Sequence, residues 1–441
     1  MIVIGRASLR PVISLYPDAQ FVAPRSVSPI RHRIDARVRV PPSKSVANRE
    51  LVLSAIAEGR SEVHLGDIDP GDDVRAMREA LRALGYQVDA RSPASVRISG
   101  DGARDGEVSL DAREAGTVAR FVTALAALRP GRTTIDGSAR MRERPIGALA
   151  QALRALGTRV EGDRFPIAVS GPLRGGAVEV PGHESSQFAS ALLLVGPRMP
   201  EGLELHIPGS VVSAPFLDLT VAALEARGVR VERPTANAFR IAAQRVRARS
   251  VTVPGDATQA SYPAAAAAIL GGRVSIENVE RQRRGGQGDV RFMDVLREMG
   301  CTVSTLFGGI TVRREGTLTG IRQNVRDISD TFPSLAVVAA CAEGRSEILG
   351  IGHTRRQESD RVAAVVNGLR SLGGSVTEYA DGLAIDPVPL HGGVVDAAGD
   401  HRIAMAFSVL GLFVPGVAIE GAGSVSKTWP GFYDMVRGLG H

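Results

Sequence analysis

Cysteine, lysine and the aromatic residues are all scarce in this chain of 441 residues. Its two cysteines, Cys301 and Cys341, are too few for a disulfide framework or a thiolate metal cage, and they fit a reducing compartment. The eight histidines show no paired ligand spacing, so we expect no metal site and no cofactor. At 4% aromatic residues, the chain offers no visible stacking platform for single-stranded nucleic acid.

The chain also lacks an unbroken apolar run. Its longest apolar stretch, residues 403–419, is interrupted by Gly411, Pro415 and Gly416, and it predicts a buried helix and a strand instead of a membrane span. Residues 1–33 contain four prolines, no acidic residue before Asp18 and no long apolar region. We expect them to be a poorly structured extension of a cytoplasmic protein or the result of an early start codon. A targeting peptide is the weaker alternative.

The overall composition is that of a globular protein long enough for two domains. Hydrophobic residues make up 44% of the chain and charged residues 23%, and the net charge is +6. A positive net charge suggests anionic partners, either nucleic acid or small phosphorylated molecules. Composition alone does not distinguish the two.

Lysine occurs at two positions only, Lys44 and Lys427. Because Lys and Arg total 53, the other 51 basic residues are arginines. Both lysines lie between small hydroxyl residues, in Ser43-Lys44-Ser45 and Ser426-Lys427-Thr428. Lysine is a compact point charge that can approach one oxygen closely, and its pKa shifts more readily than that of arginine. We interpret both ammonium groups as ligands of anionic oxygens, against the alternative that two surface lysines survived by chance.

A repeat of about 72 residues runs through the chain. One class of segment is helix-length and ends in a Leu-Gly-like stop, and a second class ends in another glycine. Successive glycines within each class are 67 to 73 residues apart. The first class ends at Gly85, Gly157, Gly228, Gly300, Gly373 and Gly440, and the second at Gly59, Gly131, Gly202, Gly272, Gly344 and Gly416.

The two classes predict two kinds of helix. Segments such as residues 73–84 carry charge on one side and predict amphipathic surface helices. Segments such as residues 260–270 are apolar almost all round and predict buried helices. Glycine at the end of both kinds suits the left-handed conformation of a helix C-terminus. We therefore predict an α/β protein of two domains with three repeats each, in which the chain crosses near Pro42 and Pro254.

Unusual polar residues cluster at the predicted helix starts. Helix N-termini bind anions through unpaired N–H groups and the positive end of the helix dipole. Asp72, Thr258 and Asp289 have an ordinary alternative role as helix caps. Arginine at a helix start is not explained by capping, because the dipole disfavours it there. We interpret four such residues as bidentate clamps for carboxylate or phosphate: Arg120, Arg140, Arg361 and Arg402.

Eight ordered motifs resemble the 5-enolpyruvylshikimate-3-phosphate synthase family of enolpyruvyl transferases. The resemblance covers residues from about 34 to 440, in PPSKSVANR, EAGTVARF, RMRERPI, SSQF, GDATQASYPAAAA, ESDR, DHRIAM and SKTWP. It implies a two-domain inverse α/β barrel with three βαβαββ-like units per domain. Domain 1 would comprise residues 34–43 and 254–441, and domain 2 residues 44–253.

The resemblance also implies two substrates and their ligands. Shikimate 3-phosphate would contact Lys44, Ser45, Arg49, Ser185, Ser186, Gln187, Asp330 and Gln357, with the two serines on its phosphate. Phosphoenolpyruvate would contact Lys44, Gly116, Arg140, Gln187, Arg361, Arg402 and Lys427. Glycine at position 116 is physically reasonable, since a side chain there would intrude where the backbone must approach the ligand.

The implied reaction is an addition followed by an elimination, which belongs to the shikimate pathway. The 5-hydroxyl of the acceptor attacks C2 of phosphoenolpyruvate while the methylene carbon takes a proton, and phosphate then leaves. We expect Asp330 to be the base for the hydroxyl and Glu358 the acid that later becomes a base, with Lys44 offsetting charge. No nucleic acid, membrane or partner subunit is expected.

Three places depart from the commonest family pattern, and alternatives remain open. In residues 353–357, His353 and Gln357 lie where Asn and Lys are frequent. Phe216 lies where Tyr is frequent, and Glu114 where Asn is common. These changes touch the acceptor pocket, so an enolpyruvyl transferase with another acceptor is one alternative. The sister enzyme acting on UDP-N-acetylglucosamine uses a loop cysteine, a role that neither cysteine here fits. A non-catalytic, Arg-rich protein that binds nucleic acid is the alternative from another class.

Overall fold

The computed structural model describes residues 23–92, 94–100, 106–281, 285–306 and 308–440. Most of the predicted poorly structured extension, residues 1–22, lies outside these ranges. Residues 23–33 differ from that prediction, because Arg25 and Ser26 pair with Ile419 and Ala418 of another strand. Val27 is buried and packs into the hydrophobic core. Regular structure among the described residues thus precedes the first family motif.

Two kinds of α-helix alternate along the described residues. None of them is both long and apolar enough to cross a bilayer. In chain order the helices are α1 (Lys44–Ile56), α2 (Asp72–Leu84), α3 (Gly116–Ala126), α4 (Ala139–Glu143), α5 (Gly147–Ala155), α6 (Ser186–Val195), α7 (Pro215–Glu225), α8 (Ala257–Leu270), α9 (Phe292–Glu298), α10 (Phe332–Ala339), α11 (Arg361–Ser371), α12 (His401–Gly411) and α13 (Phe432–Gly438).

Short strands separate the helices. They are β1 (Arg25–Ser26), β2 (Ile34–Val38), β3 (Ser61–His64), β4 (Gln87–Ser92), β5 (Ser95–Ser99), β6 (Val108–Asp111), β7 (Arg132–Asp136), β8 (Arg159–Glu161), β9 (Ile167–Ser170), β10 (Gly176–Glu179), β11 (Leu203–His206), β12 (Glu232–Thr235), β13 (Ala238–Ile241), β14 (Ser250–Thr252), β15 (Gly272–Ile276), β16 (Thr302–Leu306), β17 (Gly309–Arg314), β18 (Arg322–Asn324), β19 (Ser346–Leu349), β20 (Ser375–Tyr379), β21 (Gly382–Asp386), β22 (Gly393–Asp396) and β23 (Val417–Glu420).

The strands form six small sheets of one topology. Five are four-stranded, with orders β14-β3-β5-β4, β6-β7-β9-β8, β10-β11-β13-β12, β2-β15-β17-β16 and β18-β19-β21-β20, and the sixth is β22-β23-β1. In each sheet the first two strands are parallel and the remaining neighbours antiparallel. The sixth sheet combines strands from both ends of the chain. The predicted α/β class with a repeated βαβαββ-like unit is confirmed.

The apolar helices lie inside and the amphipathic helices outside. All residues of α8 from Ala257 to Ile269 are buried, and their small side chains let α10 and α12 pack closely against it. Helices α1, α3 and α6 form the equivalent inner group. In contrast, α2 buries one face through residues such as Met77 and Leu81 and exposes the other.

The buried residues form two separate clusters. One cluster takes its residues from positions 27–40 and 257–439, which we name the terminal half. The other takes its residues from positions 47–253, which we name the central half. The division into domains at residues 43/44 and 253/254 stays a prediction, and the two clusters support it.

Two adjacent segments carry the chain between the halves. Pro42 and Gly255 form an isolated antiparallel bridge. Ser43 donates its backbone N–H to Pro254 at 2.8 Å, and Asp256 donates to Pro41 at 2.8 Å. Strand β2 pairs with β15 in the terminal half, whereas β14 pairs with β3 in the central half. The predicted crossing near Pro42 and Pro254 stays a prediction, and the pairing of these two segments supports it.

Most of the repeat glycines adopt the left-handed conformation expected of them. Five of the six in each class have positive φ, such as Gly85 at 108°. Gly131 is the exception in its class: a Cβ there would lie 2.4 Å from the carbonyl oxygen of Gly106. A side chain at Gly131 is thus excluded by a close backbone approach instead of by φ.

Candidate active site

A cavity of about 670 Å³, including its open mouth, lies between the two halves. It is situated at the N-terminal ends of the inner helices α1, α3, α6 and α12 and of the outer helix α11. The residues that line it are Lys44, Ser45, Arg49, Gly116, Thr117, Arg144, Glu184, Ser185, Ser186, Gln187, Val212, Ser213, Phe216, Asp330, His353, Gln357, Glu358, Arg361 and Arg402.

Twelve of the fourteen predicted site residues line this cavity. Lys427, the thirteenth, contacts the cavity carboxylate Glu358 with its Nζ at 3.1 Å. Arg140 is the exception and lies outside. The cavity lining contains five basic side chains but only three carboxylates. This excess of positive charge suits anionic ligands.

Lys44 is the first residue of α1, and Ser43 caps that helix. Its Nζ lies 2.8 Å from the carboxylate of Asp73, which is 3% exposed and belongs to the first turn of α2. The sequence alone predicted no role for Asp73 toward Lys44. The contact between Asp73 and Lys44 depends on the packing of α1 against α2, which local sequence patterns do not show.

Arg49 lies one turn further along α1 and is 1% exposed. Its guanidinium donates to the hydroxyls of Thr220 at 2.8 Å and Ser190 at 3.3 Å and to two backbone carbonyls, and it lies over the Phe216 ring. No carboxylate among the described residues pairs with it. Burial lowers the pKa of Arg49 to about 9. A buried cation without a counter-ion is a ready partner for an anionic ligand.

Gly116 is the first residue of α3 and leaves no room for a side chain. A Cβ at this position would lie 2.7 Å from Nη2 of Arg144 and 3.1 Å from Oε1 of Gln187. Arg120 follows one turn later, also buried, and donates to the carbonyl of Pro145 at 2.6 Å. The start of α3 therefore exposes backbone between two arginines.

Arg144 is a charged cavity residue that was not predicted from the sequence as a site residue. It is 7% exposed, donates to the carbonyl of Glu114 at 3.1 Å and lies 3.7 Å from Glu358. Helix α4 ends at Glu143, and Arg144 adopts extended backbone dihedrals of −74° and 143°. The signal was Pro145, because a residue that precedes proline is disfavoured in the helical region. Arg144 therefore turns away from the helix and into the cavity.

Arg140 lies on α4 and points to the other half of the molecule. It donates to the carbonyl oxygens of Gln357 at 3.0 Å, Glu358 at 3.1 Å and Arg355 at 3.3 Å. Glu143 pairs with it at 2.7 Å. The expected placement of Arg140 beside a phosphoenolpyruvate site is not seen, because its nitrogens are directed at these carbonyls.

Three polar residues, Ser185, Ser186 and Gln187, lie at the start of α6. Ser185 caps this helix by accepting the N–H of Gln187 at 3.2 Å. Ser186 is 4% exposed, and the side chains of all three residues face the cavity. Two hydroxyls at a helix N-terminus, together with free N–H groups, form a suitable cradle for a phosphate.

Asp330 bridges two arginines of the terminal half. Its carboxylate lies 3.0 Å from Arg361 and 2.7 Å from Arg402. Burial acts to raise the pKa of Asp330, but Arg402, Arg361 and Lys44 outweigh it and hold the pKa below its ordinary value. Asp330 is therefore ionised at neutral pH, with its side chain 22% exposed.

Glu358 contacts cations from both halves. Its carboxylate lies 3.1 Å from Lys427, 2.7 Å from Arg361 and 3.7 Å from Arg144. Burial acts to raise the pKa of Glu358, but Lys427, Arg144 and Arg361 hold it well below its ordinary value. The two carboxylates expected to act in catalysis thus share Arg361 as a common partner.

Unpaired donors remain on the terminal wall. Arg402 is 3% exposed, and its Nε and Nη1 have no hydrogen-bond partner among the described residues. Arg361 is fully engaged, since it contacts Asp330, Glu358 and Asp400 and donates to the Oε1 of Gln357. Of these two arginines, Arg402 has N–H donors left for a ligand.

Phe216, His353 and Gln357, which depart from the family pattern, all line the cavity. His353 Nε2 is 2.9 Å from the hydroxyl of Ser329, which is 3.3 Å from the hydroxyl of Ser213 in the central half. Burial lowers the pKa of His353, which therefore stays neutral at pH 7. No cluster of His, Cys, Asp or Glu that could hold a metal ion occurs in the described part of the chain.

Comparison with known proteins identifies close relatives. A sequence model of the family EPSP synthase (3-phosphoshikimate 1-carboxyvinyltransferase) matches residues 29–436. The chain is 39% identical over 417 residues to the 3-phosphoshikimate 1-carboxyvinyltransferase of Methanoculleus marisnigri, with 92% of this chain and 97% of the relative covered. Its identity to the enzyme of the same name from Methanosphaerula palustris is 40% over 417 residues, with the same coverage.

Solved structures give the same result for the fold. The EPSP synthase of Acinetobacter baumannii superposes on this chain with a TM-score of 0.78 at 26% identity. The match covers 94% of this chain and 98% of that structure. With this coverage, the similarity extends across both halves.

Proposed function

The chain belongs to the EPSP synthase family, and from this premise we propose how its cavity works. The protein transfers the enolpyruvyl group of phosphoenolpyruvate to the 5-hydroxyl of shikimate 3-phosphate and releases phosphate. The observation that carries this proposal is the placement of two carboxylates among cations around one cavity: Asp330 pairs with arginines of the terminal half, and Glu358 contacts cations of both halves. Two dianionic or trianionic substrates need such an excess of positive charge.

The central wall is proposed to hold shikimate 3-phosphate. Ser185 and Ser186 would bind its phosphate at the start of α6, and Ser45, Arg49 and Gln187 would bind the rest of the acceptor. Support comes from Arg49, which is buried without a carboxylate partner. Three more residues would complete the site: Lys44 at the start of α1, and Asp330 and Gln357 from the terminal half.

Phosphoenolpyruvate is proposed to lie between the starts of α3, α11 and α12. Its carboxylate and phosphate would contact Lys44, Gly116, Gln187, Arg361, Arg402 and Lys427. Arg144 joins this set in place of Arg140, because Arg144 faces the cavity and Arg140 does not. The unpaired N–H groups of Arg402 support its share in this site.

Addition would begin with removal of the acceptor proton. Asp330, whose pKa is held low by Arg402 and Arg361 against its burial, is ionised and able to accept the proton of the 5-hydroxyl. The oxygen then bonds to C2 of phosphoenolpyruvate while C3 takes a proton from Glu358. Lys44 and Arg402 would stabilise the charge that develops.

Glu358 must hold a proton before it can act as an acid. In the ligand-free protein Lys427, Arg144 and Arg361 keep it ionised against its burial. A phosphate or carboxylate bound to the same three cations would offset their charge, and the pKa of Glu358 would rise. Substrate binding would therefore prepare the acid. In the elimination, Glu358 takes a proton back from the methyl group as phosphate leaves.

The test is phosphate release from phosphoenolpyruvate with three acceptors. We expect release with shikimate 3-phosphate and little with plain shikimate, because the serine cradle of α6 would stay empty. UDP-N-acetylglucosamine should give none, since neither Cys301 nor Cys341 is a cavity residue. Release with another acceptor alone would instead assign the chain to a paralogue, consistent with His353, Gln357 and Phe216.

We further propose that the protein acts in the cytoplasm as a monomer and does not bind nucleic acid. Both walls of the cavity come from one chain, so no second copy is needed to complete it. Binding to DNA or RNA that weakens steeply with salt would contradict this proposal. Light scattering and a salt-dependent DNA-binding assay would test the two statements separately.

A further inference from the structure

Arg140 connects the two halves at the segment that bears Glu358. It belongs to α4 of the central half, whereas the carbonyls of Arg355, Gln357 and Glu358 that accept from it belong to the terminal half. Charge-assisted hydrogen bonds of this kind are stronger than neutral ones. One side chain thus fixes three backbone oxygens across the gap between the halves.

Two of the three residues that accept from Arg140, Gln357 and Glu358, lie between elements of regular structure. A 3₁₀ turn ends at Arg356, and Gln357 has backbone dihedrals of −94° and −143°. Helix α11 begins only at Arg361, so its ladder does not hold the backbone of Glu358. The remaining anchors of Glu358 are side-chain contacts to Lys427, Arg361 and Arg144.

Arginine suits this task for a geometric reason. Its planar guanidinium presents several N–H groups at fixed angles, whereas a lysine ammonium is a single point. Nε of Arg140 reaches two carbonyls and Nη2 the third, while Nη1 pairs with Glu143 on its own helix. Glu143 therefore orients Arg140 toward the opposite half.

A second contact joins the same turn to the central half. His353, within the 3₁₀ turn, contacts Ser329, which contacts Ser213 of the central half. Ser213 has a φ of 53°, in the left-handed region that non-glycine residues seldom occupy. The turn that leads to Glu358 is thus held from the central half at two points, Arg140 and Ser213.

We propose that Arg140 is a positioning residue that fixes Glu358 for proton transfer only when the two halves are closed. Closure then completes the positioning of the acid. Without it Glu358 keeps its contacts to Lys427 and Arg361 but loses the hydrogen bonds from Arg140 to its backbone segment. This inference rests on the proposed function, because it takes Glu358 as the proton donor. Arg140 itself touches neither substrate.

The test compares Arg140→Met and Arg140→Lys with the control Arg142→Met. Arg142 lies on the same short helix but pairs with Asp136 of its own half, so its loss leaves the contact between the halves intact. Steady-state kinetics give kcat and both KM values. Small-angle X-ray scattering measures compaction on adding shikimate 3-phosphate alone, and thermal melting shows whether each variant is folded.

We expect Arg140→Met to lower kcat at least about tenfold and to reduce the compaction, while Arg142→Met matches the wild type. Arg140→Lys should recover part of kcat only. Unchanged kcat and compaction in Arg140→Met would overturn the proposal. So would a raised KM for phosphoenolpyruvate with normal compaction, which would make Arg140 a substrate ligand. Failure of the proposed function is distinguishable, because the wild type itself would then release no phosphate.

Discussion

The two walls of the cavity treat their charges differently. On the central wall, Arg49 and Arg144 have no carboxylate partner from their own half, and Lys44 alone pairs locally, with Asp73. On the terminal wall, Arg361 contacts three carboxylates and Arg402 contacts Asp330. One wall presents cations to a ligand, and the other holds carboxylates among cations.

This difference separates binding from chemistry. Free cations and hydroxyls on the central wall cost stability in the empty protein and are stabilised when an anion binds. The carboxylates of the terminal wall are kept ionised by neighbouring cations. A bound anion that contacts the same cations would raise the pKa of these carboxylates. We therefore expect central-wall variants to raise KM and terminal-wall variants to lower kcat.

The largest effect should come from the terminal carboxylates. Glu358→Gln and Asp330→Asn each remove a proton-transfer group, and we expect kcat to fall roughly 10²- to 10⁴-fold. Phosphate release under saturating substrates measures this loss. Glu161→Gln, which changes a surface carboxylate paired with Arg132, should keep the wild-type rate. Near-normal turnover in both cavity variants would refute their assignment.

Loss of the unpaired cation should weaken acceptor binding instead. Arg49→Met is expected to raise KM for shikimate 3-phosphate roughly 10- to 100-fold, because hydrogen bonds to a charged group are lost. The KM for phosphoenolpyruvate should change less. Arg97→Met, at an exposed position paired with Glu62, serves as the control. An unchanged acceptor KM would contradict the division between the walls.

A methyl group at Gly116 should act on phosphoenolpyruvate. Gly116→Ala would place Cβ 2.7 Å from Arg144, and the displaced guanidinium should raise KM for phosphoenolpyruvate by about tenfold. Gly147→Ala is the matched control, since Gly147 also begins a helix and its Cβ would approach only to 3.5 Å. If the two variants behave alike, Gly116 has no special role in the cavity.

The smallest effect concerns stability between pH 7 and 5. Burial lowers the pKa of His401 well below its ordinary value, so the unfolded state binds its proton first and stability falls as pH drops below about 6.5. Burial raises the pKa of Asp289 to about 7, so its folded state binds the proton first and stability rises on acidification.

His401 and Asp289 therefore have opposite effects on the free energy of unfolding between pH 7 and 5. Asp289→Asn should lose stability on acidification more steeply than the wild type, and His401→Gln less steeply. A single group contributes at most about 1.4 kcal/mol per pH unit. Urea denaturation at pH 7, 6 and 5 measures the three slopes. Parallel slopes in all three proteins would show that neither group titrates in this range.

Much of the fold could be predicted because local sequence patterns determine its helices and its repeats. The glycine spacing gave the number of repeats, and apolar or amphipathic periodicity separated inner from outer helices, as in α8 and α2. Strand order could not be obtained from local patterns, since β2 and β14 pair with strands more than 180 residues away in the chain. The short β1 carries no periodic signal at all.

The site was predictable to the extent that helix starts converge. Lys44, Gly116 and Ser185 stand at or just before the first residues of helices, and the inner helices direct those ends to one cavity. Arg140 and Arg144 were not separable by type or spacing, because both are arginines on one short segment. Their different directions depend on where α4 ends and on Pro145.

The pairing of β2 with β15 and of β14 with β3 has a consequence for folding during synthesis on the ribosome. Residues 44–253 include β14 and emerge as a contiguous unit, so the central half can fold before the rest appears. Ile34–Val38, made earlier, must wait for its neighbour Gly272–Ile276. Until then this segment lacks its neighbouring strand. Asp35 and Arg37 place charges on its exposed side, which discourages pairing with strands of other molecules.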